Sequence, residues 1–277
     1  MSHTVKIGNV EVGASAPRVV CNVSQIYCAL EGLKQSADII ELRCDLIEPP
    51  DINTIEKRCR ELRQEIGDSI PILGTIRRSA DCGRWYRFNA SEEERLGVFK
   101  SIIPYINAVD IEYDTSITRE VLKIASDADL TTILSYHNFA YTPSQTDLEE
   151  IVQNMERENR DILKIACMTC DDNDFDVMAN MLKDYVNREN NQPITVIPMG
   201  DYGRPGRYIF PWIGSCLAYG CVKEEKAPAQ PFVHELVKSI SLAKDVASEL
   251  PITPTLEGCE AIKKLSREIK KFEFATV

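Results

Sequence analysis

The sequence predicts an α/β protein that folds as a single (β/α)8 barrel preceded by a short β-hairpin. Eight apolar runs of strand length, rich in β-branched residues, recur about every 20 to 35 residues along the 277-residue chain. Amphipathic helical patterns fill most of the gaps, and this alternation is typical of a parallel sheet. An open doubly wound sheet alternates in the same way, but no GxGxxG motif follows the first long run. We therefore expect a closed barrel with its functional residues at the carboxyl ends of the strands.

The predicted elements follow one another without a break between domains. The hairpin is assigned to residues 1–14, where Gly8-Asn9 supplies a two-residue turn between alternating apolar residues. The barrel strands are predicted at Arg18–Val23, Ile39–Arg43, Ile70–Thr75, Ala108–Ile111, Thr131–Ser135, Ile162–Ala166, Ile194–Ile197 and Cys216–Tyr219. Since no linker rich in Pro, Gly or Ser divides the chain, residues 1–277 are expected to form one domain.

Local motifs mark several helices and one loop. The pairs Ser91/Glu94 and Thr146/Glu149 have the spacing of capping boxes and predict that helices begin there. Three glycines between residues 200 and 207 predict a loop whose backbone approaches a ligand closely. The lysine-rich amphipathic segment 255–272 predicts a last helix on the outside of the barrel.

The composition argues against several classes of protein. Asp and Glu number 43 against 32 Lys and Arg, a net charge of −11, which disfavours nucleic-acid binding. No apolar run approaches the ~18 residues that a membrane helix needs. Residues 1–12 lack the charged start and apolar stretch of a signal peptide. The chain is therefore expected to be soluble and cytoplasmic, with neither nucleic acid nor membrane as a partner.

The ten cysteines are expected to be mostly small core residues, because no secretion signal supports a disulfide framework. One CxxC pair occurs, Cys167 and Cys170, without a second such pair. The three histidines are far apart in sequence, so no metal site is predicted.

Charged residues cluster at the ends of successive predicted strands. Because side chains alternate along a strand, Glu41, Arg43 and Asp45 share one face. Thr75 and Arg77 share the same kind of face on the next strand. In a barrel this face is the lumen, where charges must pair or bind a ligand. The pattern leaves open an internal ion network or the recognition of substrate hydroxyl groups.

Two residues on neighbouring strands indicate chemistry at a carbonyl group. The fifth strand ends in Ser135-Tyr136-His137-Asn138, and histidine suits acid–base catalysis, although a single histidine is often structural. Lys164 interrupts the apolar sixth strand, where burying an ammonium is costly. That cost favours a free amine able to form a Schiff base; the alternative is a lysine that extends to solvent. Since adjacent strands lie about 4.8 Å apart, His137 and Lys164 are expected to meet over one substrate.

Arginines after the seventh strand predict a site for an anion. Arg204 and Arg207 lie in this stretch, and Arg207 offers the bidentate geometry that a carboxylate accepts. A phosphate is equally open at this point, because many barrels bind phosphate in the corresponding region. After the eighth strand, Gln230 supplies one amide side chain.

Five segments in this order resemble the type I 3-dehydroquinate dehydratases, and the resemblance extends over nearly the whole chain. The segments are Glu41–Asp45, Thr75–Arg77, Ser135–Phe139, Leu163–Ala166 and Met199–Arg207. The resemblance implies a (β/α)8 barrel, usually a homodimer, that acts without metal or cofactor. Its implied reaction converts 3-dehydroquinate to 3-dehydroshikimate.

The resemblance also implies a role for each site residue. Lys164 would form an imine with the C3 ketone, and His137 would remove the C2 proton and then protonate the departing C1 hydroxyl. Arg207 would bind the substrate carboxylate. The substrate hydroxyls would be held by Glu41, Arg43, Arg77 and Gln230.

The sequence departs from the family pattern at three positions. Asp81 stands where the family usually has a glutamate that supports the histidine, so its contact with His137 is in question. Lys226 replaces a small hydroxyl residue, and Ala229 replaces a glycine in the last loop. Asn22, on the first barrel strand, is a further candidate for a substrate contact.

Two other functions fit part of this pattern. A different Schiff-base barrel, such as an aldolase, would share Lys164 but act on another keto compound, often a phosphorylated one. A non-catalytic paralogue that binds dehydroquinate as a sensor or regulator would be consistent with Asp81 and Lys226.

Overall fold

The computed structural model describes residues 4–13, 17–83 and 91–249, with side chains described as far as residue 241. A two-stranded antiparallel hairpin of β1 (Val5–Ile7) and β2 (Val10–Val12) precedes the barrel. The barrel strands are β3 (Arg18–Val23), β4 (Ile39–Arg43), β5 (Ile72–Thr75), β6 (Ala108–Glu112), β7 (Thr131–Asn138), β8 (Ile162–Met168), β9 (Ile194–Met199) and β10 (Leu217–Cys221). The predicted hairpin is confirmed at residues 5–12, and all eight predicted barrel strands are confirmed, with ends that differ by up to three residues.

A helix follows each barrel strand. The helices are α1 (Ile26–Lys34), α2 (Ile52–Ile66), α3 (Glu92–Ile102), α4 (Thr118–Asp127), α5 (Gln145–Glu156), α6 (Asp172–Val186), α7 (Gly200–Ile213) and α8 (Val233–Glu249). The capping box of Ser91 and Glu94 is confirmed at the start of α3. The predicted box at Thr146 is wrong, because Ser144 caps α5 by accepting a hydrogen bond from the Asp147 backbone N–H.

The parallel sheet curls into a nearly closed barrel in the strand order β10-β3-β4-β5-β6-β7-β8-β9. Two side chains complete the seam between β9 and β10. Thr195 Oγ1 accepts from Leu217 N at 3.1 Å, and Ser215 Oγ accepts from Val196 N at 3.0 Å. These hydroxyls supply acceptors to backbone N–H groups that would otherwise lack a partner at the seam.

The inside of the barrel is apolar at one end and charged at the other. An apolar cluster includes Val20, Ile39 and Leu73 of the barrel together with Ile7 and Val12 of the hairpin. The hairpin therefore closes the amino-terminal end of the lumen. The charged residues lie further along the strands, towards the carboxyl ends, where a larger helix-to-sheet core surrounds them.

The predicted glycine-rich loop after the seventh strand is wrong, because residues 200–207 form the first turns of α7. Gly200 has a φ of +80°, a left-handed conformation that favours glycine. A Cβ on Gly203 would lie 2.6 Å from the Pro198 carbonyl carbon. The glycines here permit α7 to pack closely against β9, the strand before it. The sequence alone does not distinguish this close packing from the close approach of a ligand.

The described cysteines are mostly core residues, as the sequence predicts. Of the nine cysteines that the structure describes, six are buried, and Cys82 and Cys170 are exposed. The CxxC pair is split between the buried Cys167 and the exposed Cys170. Within the described ranges no helix is both long and apolar enough to span a membrane. The predicted helix 255–272 lies outside the described residues.

Candidate active site

One cavity at the carboxyl ends of the strands brings together ten residues that the sequence predicted for the site, whereas Arg204, the second arginine predicted for the anion, is not among the residues that line it. Its lining includes Asn22, Glu41, Arg43, Arg77, Asp81, His137, Lys164, Arg207, Lys226 and Gln230. We call this space the central cavity. Nine of these side chains come from six different strands or the loops that follow them, and Arg207 comes from α7, so they converge where the strands end.

Lys164 lies at the centre of this group, on β8, and is only 4% exposed. Its Nζ donates a hydrogen bond to Asp110 Oδ2 at 2.8 Å and lies 3.9 Å from Glu41 Oε1. The ring of Tyr219 lies beneath it, with the ring centroid 4.2 Å from Nζ. The alternative of a lysine that reaches solvent is therefore wrong. A carboxylate on β6, that of Asp110, faces the amine.

Asp110 links Lys164 to Arg77. Its Oδ1 accepts from Arg77 Nη2 at 2.7 Å and from Ser135 Oγ at 2.8 Å. Burial alone would raise the pKa of Asp110, but Arg77 and Lys164 outweigh burial and hold that pKa well below its usual range. Asp110 is therefore ionised at neutral pH and is shared by Arg77 and Lys164.

Arg77 is committed to carboxylates on β6. Besides Asp110, its Nη1 donates to Glu112 Oε1 at 2.9 Å, and the fully buried Arg95 donates to the other oxygen of Glu112. Burial lowers the pKa of Arg77, but Asp110 and Glu112 more than compensate and raise it. The internal ion network that the sequence left open is thus present around Arg77.

His137 projects from β7 beside Lys164, since Ser135 pairs in register with Lys164 and His137 with Ala166. Burial, and then the positive charges of Arg77 and Lys164, lower the pKa of His137 well below its usual value. The imidazole is consequently neutral at neutral pH and can accept a proton. Its ring stacks parallel to Phe139 at 6.0 Å between centroids.

Asp81 lies near His137 but does not reach it. The distance from Asp81 Oδ2 to His137 Nδ1 is 3.8 Å, beyond a hydrogen bond. The same oxygen accepts from Arg78 Nε at 2.9 Å. Burial raises the pKa of Asp81, while Arg78 acts in the opposite direction. The sequence left open whether the shorter side chain of Asp81 contacts His137, and in the structure it does not form a hydrogen bond with it.

Glu41 and Arg43 occupy the wall formed by β4. Glu41 Oε1 accepts from Thr75 Oγ1 at 2.8 Å, whereas Oε2 is buried without a hydrogen-bond partner among the described residues. Arg43 binds both oxygens of Asp45, with Nε and Nη2 at 2.8 and 2.7 Å. The carboxylate of Glu41 thus keeps an oxygen that a ligand hydroxyl can satisfy.

Arg207 lies at the opposite side of the central cavity, against the last loop. Its Nη2 donates to the Pro228 carbonyl at 3.0 Å, and its buried Nε has no partner in the described part of the chain. Burial lowers the pKa of Arg207 to about 10. A buried guanidinium with one backbone partner is prepared for an anion.

The last loop is fixed by amide contacts. Gln230 Nε2 donates to Asn22 Oδ1 at 3.1 Å, and Gln230 Oε1 accepts from the Lys226 backbone N–H at 2.9 Å. Ala229 adopts a φ of +53°, in the left-handed region where glycine is favoured. The loop therefore keeps a conformation suited to glycine although the residue is alanine.

Four residues of the site were not among the sequence predictions: Asp110, Glu112, Ser135 and Tyr219. The charged alternation of β6 was visible in the sequence, but its partners lie on other strands and only the fold identifies them. Tyr219 gives no sequence signal, since an aromatic residue in an apolar strand is normally core.

Comparison with known proteins gives a consistent result. The family model for type I 3-dehydroquinase matches residues 16–245. A 3-dehydroquinate dehydratase from Methanocella arvoryzae is 30% identical over 226 residues, covering 82% of this chain and 96% of the relative. One from Methanosarcina acetivorans is 32% identical over 218 residues, covering 76% and 87%. The crystal structure of the Geobacillus kaustophilus 3-dehydroquinate dehydratase has a TM-score of 0.81 at 24% identity, covering 88% of this chain and 97% of that one.

The structural likeness confirms the barrel. The family match extends over most of the barrel and includes all ten predicted site residues. The chain belongs to the type I 3-dehydroquinase family of hydro-lyase enzymes.

Proposed function

We propose that the enzyme dehydrates 3-dehydroquinate to 3-dehydroshikimate through a Schiff base on Lys164, with His137 as general acid and base. One observation carries the proposal. A buried lysine amine and a histidine whose pKa is lowered line the same cavity from adjacent strands. This pair is what elimination beside a ketone requires.

The reaction begins when the Lys164 ammonium loses a proton to water and the resulting amine attacks the C3 ketone; water then leaves, forming the imine. Neutral His137 then removes the C2 proton, and the electron pair moves into the imine nitrogen. The C1 hydroxyl departs with a proton from His137, which leaves a conjugated imine. Water hydrolyses this imine, releasing 3-dehydroshikimate and restoring the Lys164 amine.

Asp110 and Arg77 support these steps through their contacts with Lys164 and His137. Asp110 directs Nζ through its 2.8 Å hydrogen bond and compensates positive charge on the nitrogen. Arg77 holds Asp110 and lies 3.4 Å from His137 Nδ1, where its charge favours the neutral imidazole. The network therefore adjusts both reacting groups at once.

Substrate binding is assigned to the rest of the cavity wall. Glu41 offers a free carboxylate oxygen to a hydroxyl, and Arg207 offers its Nε to the substrate carboxylate. The remaining polar positions, assigned to hydroxyls and to the shape of the site, are Arg43, Arg77, Gln230 and Asn22. We assign Asp81 to support of the histidine at a distance.

The proposal includes a setting for the enzyme. It acts on a small molecule, without a cofactor or metal, as a cytoplasmic homodimer in which residues 1–277 form one domain. Support for these points is the family membership and the sequence composition.

Borohydride reduction in the presence of 3-dehydroquinate tests the mechanism. Intact mass and peptide mapping should find a reduced adduct on Lys164, and a parallel sample without borohydride should develop the conjugated enone. Lys164→Met should abolish both signals, whereas Lys123→Met, on the exposed face of α4, should change neither. His137→Ala should still give the adduct but stall before the enone.

Each other outcome identifies a different function. An adduct without enone in the wild type would indicate a binding protein, which the 3.8 Å gap between Asp81 and His137 makes worth testing. Absence of any adduct would direct attention to an aldolase acting on another keto compound. Normal turnover by His137→Ala would overturn the acid–base assignment.

A further inference from the structure

The cations of the central cavity divide into two groups by their partners. Arg43, Arg77 and Lys164 each contact a buried carboxylate within 2.8 Å. Arg207 and Lys226 have no buried carboxylate within the salt-bridge distance among the described residues. One side of the cavity is thus internally neutralised, while the two cations of the other side have no buried counterion among the described residues.

Arg207 and Lys226 belong to one wall, because the same loop holds both. Arg207 Nη2 donates to the carbonyl of Pro228, and the Lys226 backbone N–H donates to Gln230 Oε1. The loop between these contacts turns at Ala229. A change in the loop therefore moves both cations relative to the cavity.

The ammonium of Lys226 is held by a partner that it can exchange. Its side chain is 18% exposed, and Nζ lies 3.3 Å from Glu224 Oε2, whose side chain is 80% exposed. An ion pair with an exposed carboxylate gains little, since water solvates that carboxylate almost as well. Lys226 also borders a neighbouring cavity of about 650 Å³, so its stem has room to reorient.

We propose that Lys226 is a specificity-determining residue that binds the anionic group of the substrate together with Arg207. On substrate binding, Nζ leaves Glu224 and donates to the substrate carboxylate, which then lies between an ammonium and a guanidinium. The inference rests on the proposed function for the substrate. It adds a second positive charge to the carboxylate end of the site.

Steady-state kinetics of two matched variants test this role. Lys226→Met removes the ammonium and keeps most of the stem, and it should raise KM about tenfold, the scale of one charge-assisted hydrogen bond. The kcat value should change by less than about twofold. Lys223→Met removes the same charge three residues earlier, where Nζ lies over the Tyr27 ring outside the central cavity, and should leave KM unchanged.

A binding measurement separates the inference from the proposed reaction. Quinate has the carboxylate but no ketone, so calorimetry gives its Kd without turnover, and quinamide provides the uncharged comparison. Lys226→Met should weaken quinate binding about tenfold and leave quinamide unaffected. Glu224→Gln should tighten quinate binding, because it releases the competing partner.

The outcomes are distinct. If the wild type binds quinate but does not turn over 3-dehydroquinate, the proposed function fails while the Kd values still decide the role of Lys226. An unchanged Kd and KM in Lys226→Met would overturn the inference. So would an equal loss for quinate and quinamide, which indicates a structural role, or failure of the wild type to bind quinate.

Discussion

Asp110→Asn is expected to destabilise the barrel by about 3–5 kcal/mol, because it removes the anion that two buried cations share. Asn has the same shape as Asp, but it is uncharged. Its amide NH2 group would also face the groups that donate to Asp110, which are Arg77, Ser135 and Lys164. Arg77 retains Glu112 at 2.9 Å, whereas Lys164 retains only Glu41, at 3.9 Å. Most of the cost therefore falls on the ammonium of Lys164.

The magnitude follows from the distances. Unit charges at the 2.8 Å between Lys164 Nζ and Asp110 Oδ2 attract by about 6 kcal/mol at an effective dielectric constant of about 20. The more distant Glu41 offsets part of this loss. A remaining cost of about 3–5 kcal/mol is a large share of the ~5–15 kcal/mol by which domains are stable.

Urea unfolding measures this effect. With a denaturant slope of about 2.5–3 kcal/mol per molar, the midpoint should fall by about 1–2 M. Asp127→Asn is the matched control, because it breaks a pair with Lys123 in which both side chains are more than half exposed. That variant should lose no more than about 1 kcal/mol.

A second substitution distinguishes charge from packing. Adding Lys164→Met to Asp110→Asn removes the stranded ammonium and should recover part of the lost stability, since Arg77 keeps Glu112. The reasoning is refuted if Asp110→Asn costs no more than Asp127→Asn. It is also refuted if the double variant is less stable than Asp110→Asn alone.

Three further predictions concern the histidine, its neighbour and the barrel seam. Because the pKa of His137 is lowered, the imidazole stays neutral below pH 6.5. The value of kcat/KM should therefore be constant from pH 7 to 6.5 and fall only at lower pH. A decrease in kcat/KM centred at or above pH 6.5 would contradict this. Asp81→Glu extends the carboxylate across the 3.8 Å gap to His137 and should raise kcat by roughly two- to tenfold, the equivalent of one hydrogen bond; an unchanged rate would mean that the gap has no catalytic cost. Thr195→Val leaves the Leu217 N–H without its acceptor at the β9–β10 seam. It should lower the free energy of unfolding by about 1–3 kcal/mol in urea. An unchanged midpoint would mean that the seam does not need the hydroxyl.

The strands and the site were predictable because they depend on local alternation. Lys164 and His137 lie on adjacent strands, and their convergence follows from strand order and side-chain period alone. The same rule placed Glu41, Arg43 and Arg77 in the lumen.

The wrong predictions about the cap of α5 and the glycines of α7 had another cause. Each required a choice between two local patterns that the sequence does not distinguish. Ser144 and Thr146 both precede an acidic residue by three positions, and the sequence does not say which one caps α5. The glycines of α7 permit close approach, but Pro198 of the preceding strand, rather than a ligand, occupies the space beside Gly203. The partners of Lys164 on β6 and β10 were beyond sequence reasoning, because they lie across the lumen.

The position of Asp110 has a consequence for the proposed mechanism. Once the imine forms, a protonated nitrogen draws electrons from C2, and it does so best while its positive charge persists. The pKa of Asp110 is held low by Arg77, so Asp110 remains an anion and does not take that proton. His137, with its lowered pKa, is the group left to accept the C2 proton. In the proposed mechanism the ion network therefore separates two tasks: Asp110 keeps the nitrogen charged, and His137 moves the protons.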